Sequence, residues 1–192
     1  MKAIIRGKYL ITMNESDEII ENGALVIEQD KIVDINTFEE VLKKYKDSSI
    51  PIYGDSDCAV MPGFINTHTH SAMVLFRGIA DDLPLQKWLT ERIWPLEGKF
   101  LSQEFVYDGT SLACLEMLKS GITTFNDMYF FTDSIAKSAK DFKIRAFVGQ
   151  GVLDFETPFG KGADDYLRKA LEFIEQYKND ELVVPLVAPH SI

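Results

Sequence analysis

From about residue 59 onward the chain alternates short apolar runs with long amphipathic stretches, and this rhythm restricts the fold more than any single residue does. Residues 60–67, 122–127, 144–149 and 182–188 read as four strands, rich in Val, Ile, Thr and Phe. Helical patterns fall between them over 85–93, 103–119, 132–142 and 164–177. Ser102 stands where an N-cap is expected, and Gly121 just past a helix end. Strands alternating with helices in this way imply a parallel sheet flanked by helices. Pro185 sits awkwardly in the fourth strand, because it removes a ladder donor.

Residues 1–59 have a different texture. Short strands are expected over 3–6 and 9–12, and a hairpin over 23–28 and 31–35 around Gln29-Asp30. One short helix suits 37–45. Such a β-rich unit has few core residues and would be marginal alone.

Bulk properties narrow the partners. The chain has 192 residues, 46% hydrophobic and 26% charged, which is ordinary for a globular protein. A formal charge of -10 argues against a nucleic-acid binder, though a small nucleoside is read by pocket contacts rather than by field. No apolar run approaches the roughly 20 residues of a membrane span, and the N-terminus lacks a signal-peptide pattern. Cys58 and Cys114, the two cysteines, make no disulfide framework and fit a reducing, cytoplasmic setting.

His68-Thr69-His70 is the feature with the most chemistry in it. Residues two apart in a strand share a face, so both imidazoles converge at the end of the first apolar strand. Convergent imidazoles suit a divalent transition metal: zinc above all, with iron(II) or manganese as alternatives. An isolated His-x-His is usually inert, so the setting matters: a buried-type strand precedes it, and His190 is the one other histidine.

Several segments together resemble the amidohydrolase superfamily. They are Met61-Pro62-Gly63-Phe64-Ile65-Asn66-Thr67-His68-Thr69-His70, Leu75-Phe76-Arg77-Gly78-Ile79-Ala80-Asp81-Asp82-Leu83 and Trp94-Pro95-Leu96-Glu97. Trp88-Leu89, Gly121-Ile122-Thr123-Thr124-Phe125-Asn126-Asp127-Met128-Tyr129, Ile144-Arg145-Ala146 and Ala188-Pro189-His190-Ser191 complete the set. The likeness is strongest to the branch of 5-methylthioadenosine/S-adenosylhomocysteine deaminases and related chlorohydrolases. It implies an α/β fold: the first half of a metal-dependent-hydrolase (β/α)8 TIM barrel, over 60–192. Before it, residues 1–59 would form the N-terminal strands of a small β-sandwich.

The resemblance also implies site roles. His68 and His70 would hold one divalent metal. Glu97 would hold the ribose hydroxyls or purine edge, since a carboxylate accepts two such hydrogen bonds. Arg145 and His190 would contact the substrate, and Trp88, with Leu89 and Met73, would wall the nucleoside. The implied reaction is hydrolytic removal of the 6-amino group of an adenosine-type nucleoside, giving an inosyl product and ammonia. Its general acid/base Glu and the remaining metal ligands would fall beyond residue 192. Asp81-Asp82 read as turn residues rather than ligands. The fourth strand ends Val187-Ala188-Pro189-His190 without the lysine of binuclear relatives, so one metal is expected. The family's second arginine has no clear match in residues 154–162, which leaves the choice among S-adenosylhomocysteine, methylthioadenosine and adenosine open.

A complete barrel takes roughly 250 residues, and fewer than half of its units follow residue 59. The expectation is therefore an N-terminal portion, inactive alone, whose partner is the C-terminal half of the same protein; homo-oligomers are a further expectation. Two alternatives stand beside the deaminase. One is a related chlorohydrolase or guanine- or cytosine-deaminase type of enzyme, and the other a non-catalytic truncated module. An open doubly wound sheet would call for a glycine-rich phosphate loop after a strand, and no strand end here offers one.

Overall fold

Turn chemistry and side-chain alternation account for most of the first unit in the computed structural model, which describes residues 2–47 and 49–190. This unit ends at Pro62. Strand β1 (Lys2–Arg6) lies beside β2 (Tyr9–Ile11) in sequence but in a different sheet, with β3 (Ile19–Glu21) antiparallel to β2. The expected hairpin is present as β4 (Gly23–Glu28) and β5 (Lys31–Thr37), turning through Gln29 at φ +59. Helix α1 (Phe38–Lys44) is capped by Thr37, whose hydroxyl accepts from the Glu40 amide at 3.4 Å. Its Val41 packs on Ile4, Ala24 and Val26.

Two further short strands close these sheets: β6 (Ile52–Tyr53) runs parallel to β1, and β7 (Ala59–Val60) parallel to β2. The orders are β5-β4-β1-β6 and β3-β2-β7.

Residues 60–67 are not one strand, as the sequence led us to expect. Val60 ends β7 in the first unit, whereas β8 (Phe64–Thr69) begins the second. Met61-Pro62-Gly63 separates them, and Pro62 has no N–H to continue a ladder.

The second unit carries the expected alternation. Strands β8, β9 (Ile122–Tyr129), β10 (Arg145–Val152) and β11 (Val183–Pro189) form one parallel sheet in the order β11-β10-β9-β8. It is the front half of a (β/α)8 barrel. Because all four strands point the same way, their C-terminal ends share one rim. Ser191, the last residue of the resembling segments, lies outside the described residues.

The crossover from β8 to β9 is the longest. A 3-10 turn (Ser71–Phe76) leads to α2 (Leu85–Trp88), a π-helical turn (Leu89–Ile93), α3 (Trp94–Phe100) and α4 (Gln103–Lys119). The helix expected over 85–93 thus runs on to Phe100 with a widened turn in its middle. Pro95 explains it: its ring crowds the carbonyl four residues back and offers that carbonyl no N–H. Ser102 caps α4, its hydroxyl accepting from the Phe105 amide at 3.1 Å, and Gly121 follows the helix at φ +79. The remaining crossovers are α5 (Thr132–Asp141) and α6 (Ala163–Tyr177).

The core lies between the sheet and these helices. Phe125, Tyr129, Ala146, Val148 and Val183 from the strands meet Ala113, Cys114, Met117, Ile135, Ala139 and Phe173 from the helices. On the other face of the sheet Phe147, Val184 and Leu186 are exposed to solvent. Pro185 fits after all. The Ala146 amide donates to Leu182 and the His190 amide to Val152, so even-numbered residues of β11 bond to β10. The missing donor of Pro185 therefore faces away from β10.

Gly109 sets the approach of α4 to the turn after β8. A Cβ there would lie 2.5 Å from the Ala72 carbonyl oxygen and 2.8 Å from its Cα, both backbone atoms. Gly109→Ala should therefore lower stability by about 1–3 kcal/mol, read as a lower urea midpoint at unchanged slope, despite alanine's better helix propensity. The cysteines give a second check. Cys114 is fully buried, and burial pushes its thiol up to about 12, whereas Cys58 is exposed. Iodoacetamide at mildly alkaline pH should label the native protein once, at Cys58, and a second time only in denaturant.

Candidate active site

The shared rim of the parallel sheet opens into a cavity of about 700 Å³. Its polar lining includes His70, Glu97, Tyr129 and His190, and its apolar lining includes Met73, Trp88, Leu89, Leu153 and Phe155. Polar groups thus converge from the ends of β8, β9 and β11 onto a mostly apolar hollow, the arrangement expected of a small-molecule site.

His68 and His70 project from the end of β8, with ring centres 5.4 Å apart and planes at 82°. His70 Nδ1 lies 2.6 Å from the Met128 carbonyl oxygen. A carbonyl only accepts, so Nδ1 carries the proton and Nε2 is left with a free lone pair. That is how metal-binding histidines are commonly prepared. Two imidazoles on one tetrahedral zinc place their ring centres about 5 Å apart, so the observed spacing fits. His68 is exposed and does not line the cavity. Among the described residues no cluster of three or more His, Cys, Asp or Glu is grouped for a metal, so this pair could supply two ligands and no more.

β9 organises the rest. Asp127, 1% exposed, accepts from the Ser71 amide at 3.1 Å and from the Ser71 hydroxyl, which also meets Thr110 of α4 at 3.0 Å. Burial pushes the Asp127 carboxyl up to about 6, against the pull of these donors. This fixes the chain immediately after His70. Tyr129, 5% exposed, donates its hydroxyl to Glu97 Oε1 at 2.6 Å. Burial raises the Glu97 carboxyl above its ordinary value, opposed by the Tyr129 hydrogen bond. The Tyr129 phenol is pushed up by burial and by Glu97 beside it.

The structure brings together His70, Glu97, Trp88 and His190 in one cavity, with His68 beside His70. The widened turn before Pro95 carries Trp88 on one side and Glu97 on the other into it. His190 is anchored by its amide, which donates to the Val152 carbonyl at 3.0 Å. Arg145 is not brought there. It opens β10 at the opposite end, and seven residues of strand span about 23 Å. Nor does Asp82 join: it sits in a turn at φ +60 and is exposed. Reasoning from sequence missed Asp127 and Tyr129. The signal was there, because Phe125, Asp127 and Tyr129 alternate along β9 and share its helix-facing side. A carboxylate between two core aromatics needs a partner.

Comparison with known proteins agrees with this geometry. The sequence profile of the Amidohydrolase family matches residues 59–191. The chain is 72% identical over 189 residues to a 5-methylthioadenosine/S-adenosylhomocysteine deaminase of Thermodesulfovibrio yellowstonii, covering 98% of this chain and 43% of that protein. It is 40% identical over 190 residues to a 5'-deoxyadenosine deaminase of Methanococcoides burtonii, covering 98% and 42%. Among solved structures, an adenosine deaminase from Xanthomonas campestris with bound zinc superposes with a TM-score of 0.91 at 36% identity, over 98% of this chain and 42% of that one. The chain therefore spans less than half the length of these relatives. With the family profile matched over both the histidine pair and the whole parallel sheet, this chain belongs to the amidohydrolase family.

Proposed function

We propose that this chain forms the front of a hydrolytic deaminase acting on adenosine-type nucleosides such as methylthioadenosine, S-adenosylhomocysteine or 5'-deoxyadenosine. Water replaces the 6-amino group of the purine, giving the inosyl product and ammonia. The observation that carries this reading is the cavity itself, where a histidine with its Nδ1 committed to Met128 faces a carboxylate held by Tyr129. The names of the relatives point the same way.

In this reading His68 and His70 hold one divalent ion, zinc by ligand type and by likeness to the zinc-bound relative. When bound, that ion supplies a Lewis acid that makes water nucleophilic near neutral pH. The chain's own residues bind and orient. Glu97 accepts a hydroxyl of the ribose, His190 contacts the substrate from the end of β11, and Trp88, Met73 and Leu89 shield the nucleoside from solvent. Arg145 has no part in this binding, given its place at the far end of β10. The general acid/base and the remaining metal ligands come from the further length that the relatives carry. Unpaired Cys58 and Cys114 support a reducing, cytoplasmic setting, and among the described residues no helix is long and apolar enough to cross a membrane.

The decisive assay is ammonia release from methylthioadenosine, S-adenosylhomocysteine, 5'-deoxyadenosine and adenosine by a protein of the relatives' length that carries this chain. Release from at least one is expected, and the 192 residues alone should give none. Turnover of only triazines or guanine would replace the deaminase of adenosines with another hydrolase of the family. Metal content gives a test that needs no turnover. His70→Ala and His68→Ala should each weaken zinc retention against a competing chelator by at least about a hundredfold. Unchanged zinc content in both variants would remove the metal from this pair.

A further inference from the structure

We propose that Tyr129 is a positioning residue, one that sets which oxygen of Glu97 meets the nucleoside and fixes that oxygen relative to the histidine pair. The inference rests on the reading of Glu97 as a substrate ligand given above.

Three observations carry it. First, the Tyr129 hydroxyl donates to Oε1 of Glu97 at 2.6 Å, a distance typical of a hydroxyl donating to an ionised carboxylate. Oε1 is thereby occupied, and Oε2 has no partner among the described residues. The carboxylate offers its second oxygen to a ligand instead of turning freely between the two.

Second, Tyr129 is itself packed in the core. It is 5% exposed, its ring lies 5.2 Å from that of Phe130, and it belongs to the core between the sheet and the helices. Glu97, by contrast, sits on α3, a seven-residue helix that follows a widened turn. The hydrogen bond ties a side chain on a short, irregular segment to a strand in the middle of the sheet.

Third, the neighbouring residue on that strand holds the metal side of the site, since the Met128 carbonyl accepts from His70. Consecutive residues of β9 therefore fix both His70 and Glu97, and the distance between the two functions is set within one dipeptide. Preorganisation of this kind removes an ordering cost that the substrate would otherwise meet on binding.

The test is a double-mutant cycle in the protein of the relatives' length. Tyr129→Phe removes one hydroxyl and keeps the ring that packs in the core. With Glu97 present, it should lower kcat/KM for adenosine-type substrates by tenfold or more, chiefly through KM. In the Glu97→Ala background the same change should have less than a twofold effect. Equal losses in both backgrounds would show a merely structural role for Tyr129 and overturn the proposal. If Glu97→Ala itself left kcat/KM unchanged, the role of Glu97 as a ligand would fail, and the proposal with it, by a separately visible result. Should no nucleoside be turned over, the deaminase reading fails while calorimetric affinities for adenosine across the same four proteins decide the role of Tyr129. Adenosine affinities that do not differ among the four would overturn it.

Discussion

Three consecutive residues at the end of β9 hold the turn after β8 at two adjacent residues and α3 at a third, and each uses a different kind of group. The Asp127 carboxylate takes the amide and hydroxyl of Ser71, the Met128 carbonyl takes His70, and the Tyr129 hydroxyl reaches Glu97. A strand can do this because its side chains alternate between faces while its carbonyls lie in the plane of the sheet. β9 is also flanked by β8 on one side and β10 on the other, so its own position is set by two ladders. The geometry of the cavity is thus inherited from an interior strand of the second unit.

The helical side of the sheet is where stability resides. Buried aliphatic and aromatic side chains from α4, α5 and α6 pack on β9 and β10, and α4 comes close enough to the turn after β8 that Gly109 has no room for a methyl group. Polar groups enter that layer only when paired, as Asp127, Ser71 and Thr110 are. The opposite face has Phe147, Val184 and Leu186 in solvent. Parallel sheets are normally covered on both faces, and the chain spans 43% of the Thermodesulfovibrio yellowstonii relative.

Much of this was legible in the sequence where local chemistry decides the outcome. Ser102 and Gly121 mark the ends of α4 because capping and left-handed backbone are properties of single residues. The four strands of the second unit followed from β-branched runs between helical patterns. His68 and His70 followed from the period of two. Where long-range pairing decides, the sequence was silent. β3, β6 and β7 are two or three residues long and exist only because a neighbouring strand is there. The break at Met61-Pro62-Gly63 lies inside an apolar run that gives no hint of a change of sheet. Arg145 matched a motif, but its place in a parallel strand puts it at the wrong end for the site. Tyr129 carries no local signal of its role, because its partner Glu97 lies thirty-two residues away in sequence.

The grip on His70 comes from a main-chain oxygen, and this has an evolutionary corollary. Every amino acid at position 128 supplies the same acceptor, so the protonation pattern of the imidazole is shielded from drift at that position. Selection there can act freely on the Met128 side chain, which lines the hollow, and tailor the shape of the ligand it admits without disturbing the chemistry next door.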